Sequence, residues 1–230
     1  MKAGLFFLLV LPFFATAQNR HNLFGPVKKV VNSSPFTEAN QAISFNPFAL
    51  AEIDFTALAG YENKMRNNLF LSNEAGYVFA SAYIPGNNSA SVRASGFLLR
   101  PSVKWFVDKN NKFYVQPQVF YKQVTHNIHD WLGKDAVNGV SSYEQLQDFR
   151  YRRKIFGFNA IAGFVLALDQ HRNGYIDLYF GAGVRTKKNT IVREPRSVYQ
   201  NHSNGFFTGD PDNGVFPSLP IGIRFIFVLH

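Results

Sequence analysis

The clearest candidates for chemistry in this chain lie between positions 126 and 142. His126, His129 and Asp130 would place two imidazoles and a carboxylate on one side of a helical turn, a donor set that suits zinc. Nucleophilic hydrolysis would need a hydroxyl near them, and Ser141 and Ser142 follow. Neither spacing is diagnostic. The pattern favours a structured polar loop, so we assign no catalytic, metal-binding or cofactor-binding residue and expect no enzyme.

A second acidic stretch, Asp210-Pro211-Asp212-Asn213-Gly214, resembles part of a calcium-binding loop. It lacks the downstream acid at the required spacing. Its Asp, Pro, Asn and Gly content is typical of a turn, and a turn is what we predict.

The elements that must position these residues show a regular alternation. From Gly96 to Val107, one face carries only apolar residues, while the other includes Arg100 and Lys104. Alternation at period two is the pattern of a strand with two different environments. The same division recurs in segment after segment, which predicts a sheet with an apolar outer face and a polar inner face.

Eight such segments are separated by turn-forming residues. They predict an all-β fold, an eight-stranded antiparallel up-and-down transmembrane β-barrel. Tyrosines and tryptophans near strand ends suggest interfacial girdles. The expected strands are Ile43 to Leu50, Ile53 to Asn63, Leu69 to Tyr83, Val92 to Val107, Phe113 to Thr125, Phe149 to Leu168, Tyr175 to Lys187 and Ser218 to Leu229.

Charged residues on the predicted inner faces have mixed signs. Buried charges are costly unless they are paired, so these residues predict a charge network inside the barrel. Eight strands enclose a space that side chains can fill, which favours a packed polar interior over an open pore. The predicted network consists of Asp54, Glu62, Glu74, Arg100, Lys104, Lys122, Asp177, Arg185 and Arg224.

The N-terminal residues predict export. Met1-Lys2, an apolar stretch from Leu5 to Phe14 and Ala15-Thr16-Ala17 have the charged start, apolar middle and small-residue end of a signal peptide. We expect a signal peptide at 1–17, a periplasmic lead-in at 18–41 and an outer-membrane β-barrel at 42–230. The absence of cysteine excludes a lipoprotein anchor and disulfides.

Connection lengths predict the orientation. Short polar turns alternate with longer loops, and outer-membrane barrels keep the short turns in the periplasm. A net charge of +9 would be compatible with a nucleic-acid-binding protein. An exported chain meets little nucleic acid, so anionic lipid is the better partner. We expect Arg150, Arg152, Arg153 and Lys154 to contact lipopolysaccharide phosphates just outside the membrane.

Several segments carry a family resemblance. These are Ser44-Phe45-Asn46-Pro47-Phe48-Ala49-Leu50, Thr56 to Glu62, Phe120 to Lys122, His126 to Trp131 and Tyr151 to Lys154. The chain resembles a Bacteroidota-type family of small outer-membrane β-barrels of unknown function. The resemblance implies this fold and the cell outer membrane, and it transfers no site residues. The final strand also resembles the signal read by the barrel-insertion machinery, although it ends in Leu229-His230 rather than an aromatic residue.

Alternatives remain open at this stage. A barrel of this kind could be structural, bind an unknown extracellular partner, or conduct a small solute. Some eight-stranded outer-membrane barrels acylate or deacylate lipid A, but the His-x-Ser arrangement of the deacylases is missing at His126-Asn127-Ile128. A soluble lipocalin-like binder would have an apolar interior and a polar exterior. The segment 42–52 could form a strand, a plug or a short helix, because Asn46-Pro47 interrupts it.

Overall fold

The computed structural model describes residues 40–82, 91–108, 112–168, 173–194, 196–199 and 213–229. The predicted signal peptide lies outside these residues, as do the lead-in up to residue 39 and Asp210 to Asp212. In the described part of the chain, no helix has the length and apolarity needed to cross a membrane.

Nine strands and one short 3-10 turn make up the described regular structure. The 3-10 turn, Pro47–Ala51, separates the first two strands. The strands are β1 Gln41–Phe45, β2 Asp54–Arg66, β3 Leu69–Ser81, β4 Ser91–Phe106, β5 Phe113–Lys134, β6 Tyr143–Ala167, β7 Gly174–Val192, β8 Gly214–Ser218 and β9 Ile221–Leu229.

All strands belong to one antiparallel sheet that closes in a ring. Each strand from β1 to β7 pairs with its sequence neighbour, β8 and β9 both pair with β7, and β9 pairs with β1. β8 and β9 follow each other along β7, separated by Leu219-Pro220, so they act as one interrupted strand. The all-β, antiparallel part of the prediction is confirmed.

The two ends of the ring differ. At one end the connections between β2 and β3, β4 and β5, and β6 and β7 are short, and Gln41 lies opposite Leu229. We call this the short-turn end. The longer connections lie at the other end, the loop end.

The predicted facing is confirmed. On β5, Phe113, Val115 and Val119 are exposed, whereas Tyr114, Gln116 and Gln118 are buried. The exposed apolar side chains form a band around the ring, which we call the apolar belt. It includes Phe45, Phe55, Phe79, Phe97, Leu99, Val115, Val119, Phe156, Phe158, Leu178, Phe180, Ile221 and Phe227.

Strand bounds differ from prediction in several places: β7 continues to Val192, past the expected end at Lys187, and the expected final strand is divided into β8 and β9. β1 ends at Phe45, because Pro47 cannot continue the ladder and Asn46 caps the 3-10 turn by accepting a bond from Ala49 N at 3.3 Å. β5 and β6 continue far past Thr125 and Phe149 into the predicted loop. Past Gln123 the outward residues Thr125, Asn127 and His129 of β5 are polar, while the inward residues Val124, Ile128 and Leu132, though not His126, are apolar, so the expected polarity reverses there.

Candidate functional site

The barrel interior is layered, and its layer nearest the short-turn end is aromatic. Phe106 lies edge-on to both Phe70 and Tyr114, with ring centroids 5.7 Å apart in each pair. Tyr175 and Ile226 complete this layer, and all five side chains are buried. We call these five residues the aromatic floor. A packed polar interior was predicted, and this layer of it is apolar.

Above the floor lies a fully buried group of charges, the central ion cluster, formed by Glu62, Glu74, Lys104, Asp177 and Arg224. Lys104 Nζ lies 2.6 Å from Glu62 and 3.2 Å from Asp177. Arg224 lies 3.1 Å from both Asp177 and Glu74. Two cations therefore face three carboxylates, and β2, β3, β4, β7 and β9 are connected across the interior.

Tyr114 connects the floor to this cluster. Its hydroxyl donates to Asp177 at 2.7 Å and accepts from Arg224 at 2.8 Å. The ring lies against Gly163, where a Cβ would collide with it. Glycine at this position therefore allows the aromatic side chain to reach the charges.

A second group of charges lies toward the loop end, which we call the upper ion cluster. Glu52, just after the 3-10 turn, contacts Arg100 at 3.0 Å and Lys122 at 3.3 Å. Asp54 contacts Lys122 at 3.0 Å and is also bonded to Arg153. These contacts connect the β1–β2 connection to the inner faces of β4, β5 and β6.

A cavity of about 590 Å³ adjoins the upper ion cluster. This volume falls within the range of roughly 300–1,000 Å³ typical of ligand pockets. Part of its wall is apolar, from Leu98, Phe120 and Ile155. Arg185, predicted in the network, lines this cavity together with Lys187. The interior is thus packed toward the short-turn end and hollow toward the loop end.

The candidate chemical residues are not brought together. His126 is buried inside the ring, whereas His129 is exposed and contacts Asp148 at 2.8 Å. Ser142 lies at the far end of the β5–β6 hairpin, eight ladder steps beyond His126, which is about 25 Å at about 3.3 Å per residue. Asp130 instead accepts a bond from Tyr199 at 2.7 Å. No group of three potential metal ligands is found among the described residues.

His126 lies above the apolar belt, which on β5 ends at Tyr121. Burial and, after it, the nearby Arg153 lower the pKa of His126 from 6.5 to about 4, against the opposing effects of Asp54 and of the hydrogen bond to the Tyr151 backbone. Tyr151 packs beside it, with ring centroids 6.4 Å apart. The imidazole is therefore neutral at pH 7.

The four cations predicted to contact lipopolysaccharide do not share one face. The prediction was wrong for Arg153, which is buried inside and bonded to Asp54, because adjacent strand residues point to opposite sides. Arg150 and Lys154 are exposed and Arg152 is half-buried on the outer face. Exposed Lys188 lies directly opposite Lys154 on β7.

Three residues of the site were not predicted as such: Glu52, Arg153 and Lys187. Glu52 was interpreted as part of a tight turn. The facing of Arg153 could have been found by counting back from Phe156 and Phe158, which are outward on the same strand. Lys187 is buried next to exposed Lys188, and the same count from Val184 identifies it as inward.

Comparisons with known proteins identify no relative: no protein-family model, no curated protein and no solved structure matches this chain. The resemblance to a Bacteroidota-type barrel family therefore stays a prediction.

Proposed function

We propose that this chain is an integral β-barrel of a bacterial outer membrane. The apolar belt is the observation that carries the proposal. On β5 it runs from Phe113 to Tyr121 before the outward residues become Gln123, Thr125 and Asn127, and this length matches the roughly 9–11 residues of a transmembrane strand. A lipocalin-like binder would need a polar exterior, which the exposed belt argues against.

The proposed role is structural or surface-interacting rather than conducting. The aromatic floor and the central ion cluster fill the interior across the short-turn end. Eight strands leave room for side chains rather than a channel. We expect purified protein in planar bilayers to give no steady single-channel current, and a regular conductance would contradict this role.

Basic residues just above the belt support contact with anionic lipid. Lys154 and Lys188 are directly opposed across β6 and β7, with Arg152 and Arg150 on the same outer face. Like charges directly opposite each other are destabilising unless an anion lies between them. We propose that these four residues bind lipopolysaccharide phosphates.

Two experiments test the membrane assignment: fractionation of the full chain, and arginine substitutions placed inside and above the apolar belt. We expect the full chain to remain with outer membranes after carbonate washing and to show heat-modifiable mobility. Val119→Arg, within the belt, should cost about 2–4 kcal/mol of unfolding free energy in lipid vesicles, whereas Asn127→Arg, on the same face above it, should cost about 0–1. A soluble protein, or equal costs for both variants, would overturn the assignment.

The lipid contact is tested separately. Replacing Arg150, Arg152, Lys154 and Lys188 with Gln should reduce the lipopolysaccharide that co-purifies with the protein. As a control, replacing Arg66 and Lys112, two exposed cations at the short-turn end, with Gln should leave it unchanged. Unchanged co-purification in the fourfold variant would count against the lipid contact.

A further inference from the structure

The wall of the ring is incomplete on one side. β1 pairs with β2 only up to the Phe45–Ala59 pair and with β9 only up to Phe45–Phe225. Beyond Phe45 the chain turns into the 3-10 turn, which contacts both β2 and β9. In the described residues no ladder joins 54–58 of β2 to 221–224 of β9. We call this break the lateral gap.

Proline placement agrees with an open edge. Pro217 and Pro220 flank the junction between β8 and β9, beside the lateral gap. Proline cannot donate to a ladder and is found in sheets at edges or bulges. β8 and residues 221–224 of β9 have β7 as their neighbour on one side, and the two prolines discourage a partner on the other, whereas β9 pairs with β1 from Phe225 onward.

The lateral gap leads to the cavity described above. Ile53 and Asp54 line the cavity from the β2 side, and Pro217 to Ile221 line it from the other. The two rims of the gap are therefore also walls of the cavity. The 3-10 turn, which contacts both β2 and β9, lies between these rims.

The cavity is strongly basic. Five cations line it, Arg100, Lys122, Arg153, Arg185 and Lys187, against the two carboxylates of Glu52 and Asp54. The difference among these lining side chains is three positive charges. Lys187 is buried, so its charge lies in a partly desolvated setting where electrostatic attraction is stronger than in water.

The outer surface beside the lateral gap is apolar. Leu219 and Ile221 are 78% and 77% exposed, among the most exposed large hydrophobic residues described, and Ile53 is exposed on the opposite rim. Phe180, opposite Ile221 on β7, is exposed as well. A basic pocket thus adjoins an apolar outer surface, an arrangement that fits a molecule with an anionic head and an apolar tail.

We propose that the cavity binds one anionic amphiphile, with its head group on Arg185 and Lys187 and its acyl chain passing through the lateral gap along Leu219 and Ile221. This inference rests on the proposed function, since a membrane supplies such ligands beside the gap. A ligand that consists of the head group alone would contact Arg185 and Lys187 but not the apolar side chains of Leu219 and Ile221. Binding therefore requires both parts of the ligand.

The test uses the full chain purified in dodecyl maltoside, a neutral detergent, and native mass spectrometry with dodecyl phosphate as the probe. We expect one dodecyl phosphate per chain, bound at least tenfold more tightly than butyl phosphate or inorganic phosphate. The double variant Arg185→Gln and Lys187→Gln should weaken binding at least tenfold. Lys188→Gln, the neighbouring outward residue, is the matched control and should retain it.

Three results would overturn the inference. Binding of inorganic phosphate as tight as that of dodecyl phosphate would show a plain anion site. Unchanged binding of dodecyl phosphate to the double variant, or binding in variable numbers per chain, would indicate adsorption to the detergent-covered surface. Unchanged heat-modifiable mobility of the double variant shows that it is folded, so that a loss of binding can be assigned to the two substituted side chains.

The inference and the proposed function fail in different ways. If the full chain fractionates as a soluble protein, the membrane assignment fails whatever it binds. If it fractionates with membranes but takes up no dodecyl phosphate, only the amphiphile site fails. A second pair, Leu219→Gln and Ile221→Gln, should weaken dodecyl phosphate and leave inorganic phosphate unchanged, and an equal effect on both would contradict the role of the rims.

Discussion

The interior of the barrel contains two regions, one filled by side chains and one that holds a cavity. Toward the short-turn end, the aromatic floor and the central ion cluster fill the space and connect five strands. Toward the loop end, the upper ion cluster lines a cavity of about 590 Å³. The same alternation of inward residues produces both. The comparison teaches that the cavity lies beside the lateral gap, while the short-turn end, where the ring is complete, is filled by side chains.

The largest expected effect comes from breaking the central ion cluster. Asp177→Asn removes the charge that Lys104 and Arg224 share, at 3.2 and 3.1 Å. Removing one partner of a buried ion pair costs about 3–5 kcal/mol, and here both cations lose a direct partner, so that Lys104 keeps the carboxylate of Glu62 and Arg224 that of Glu74. Urea unfolding in lipid vesicles measures the loss. Asp148→Asn is the control, since its side chain is 89% exposed, and it should cost less than about 1 kcal/mol.

The dependence of stability on pH tests the region around the upper ion cluster, where His126 lies near Arg153. Folded His126 has a pKa of about 4, below the ordinary 6.5, so unfolding takes up a proton between these values. The free energy of unfolding should therefore fall as pH drops from about 6.5 to about 4, by about 3 kcal/mol in total. The measurement is the unfolding midpoint at pH 7.5 and pH 4.5.

Two variants identify the source of that pH dependence. His126→Gln should remove this part of it. His129→Gln should keep it, because His129 is exposed on the outer face. Equal pH dependence in the wild type and in His126→Gln would contradict the assignment.

A smaller effect is expected from crowding the floor. Gly163→Ala would place a methyl group against the ring of Tyr114, whose hydroxyl is held by Asp177 and Arg224. Overpacking of this kind costs about 1–3 kcal/mol. Gly174→Ala is the matched control, since its nearest atoms belong to Leu168 at 3.7 Å. Similar unfolding midpoints for both variants would show that Tyr114 can move without loss.

The smallest effect compares the two regions directly. Ile161 and Ile155 both face inward on β6, but Ile161 packs in the floor region while Ile155 lines the cavity. Ile→Val typically costs about 0.5–1.5 kcal/mol in a packed core, partly through the void it leaves. We expect Ile161→Val to lie in this range and Ile155→Val below it, by urea unfolding. The reverse order would contradict the division of the interior.

Much of the fold follows from the alternation alone. The facing of β2, β4, β5, β7 and β9 is predictable because each outward position in the belt is apolar. The extensions of β5 and β6 were missed because their outward residues become polar there, although the ladder between the two strands continues. The early end of β1 depends on Pro47, and the sequence indicated an interruption there without deciding what replaces the strand.

The candidate site was only partly predictable. Charges in the middle of inner faces, such as Lys104 and Asp177, follow from position along a strand. Glu52 acts from a connection, where no periodicity applies. The lateral gap is a property of pairing between β1, β2 and β9, and residue patterns within single strands carry no information about it.

The shortness of β1 also bears on assembly. The whole circle is completed by five residue pairs, and Phe45 meets a partner 180 positions later, at Phe225. Contacts so distant along a polypeptide form slowly. Until they form, the edges of β1 and β9 would carry unpaired backbone N–H and C=O groups, which are energetically costly in hydrocarbon. If the proposed membrane assignment holds, we expect closure of the circle and entry into a bilayer to be one coupled event.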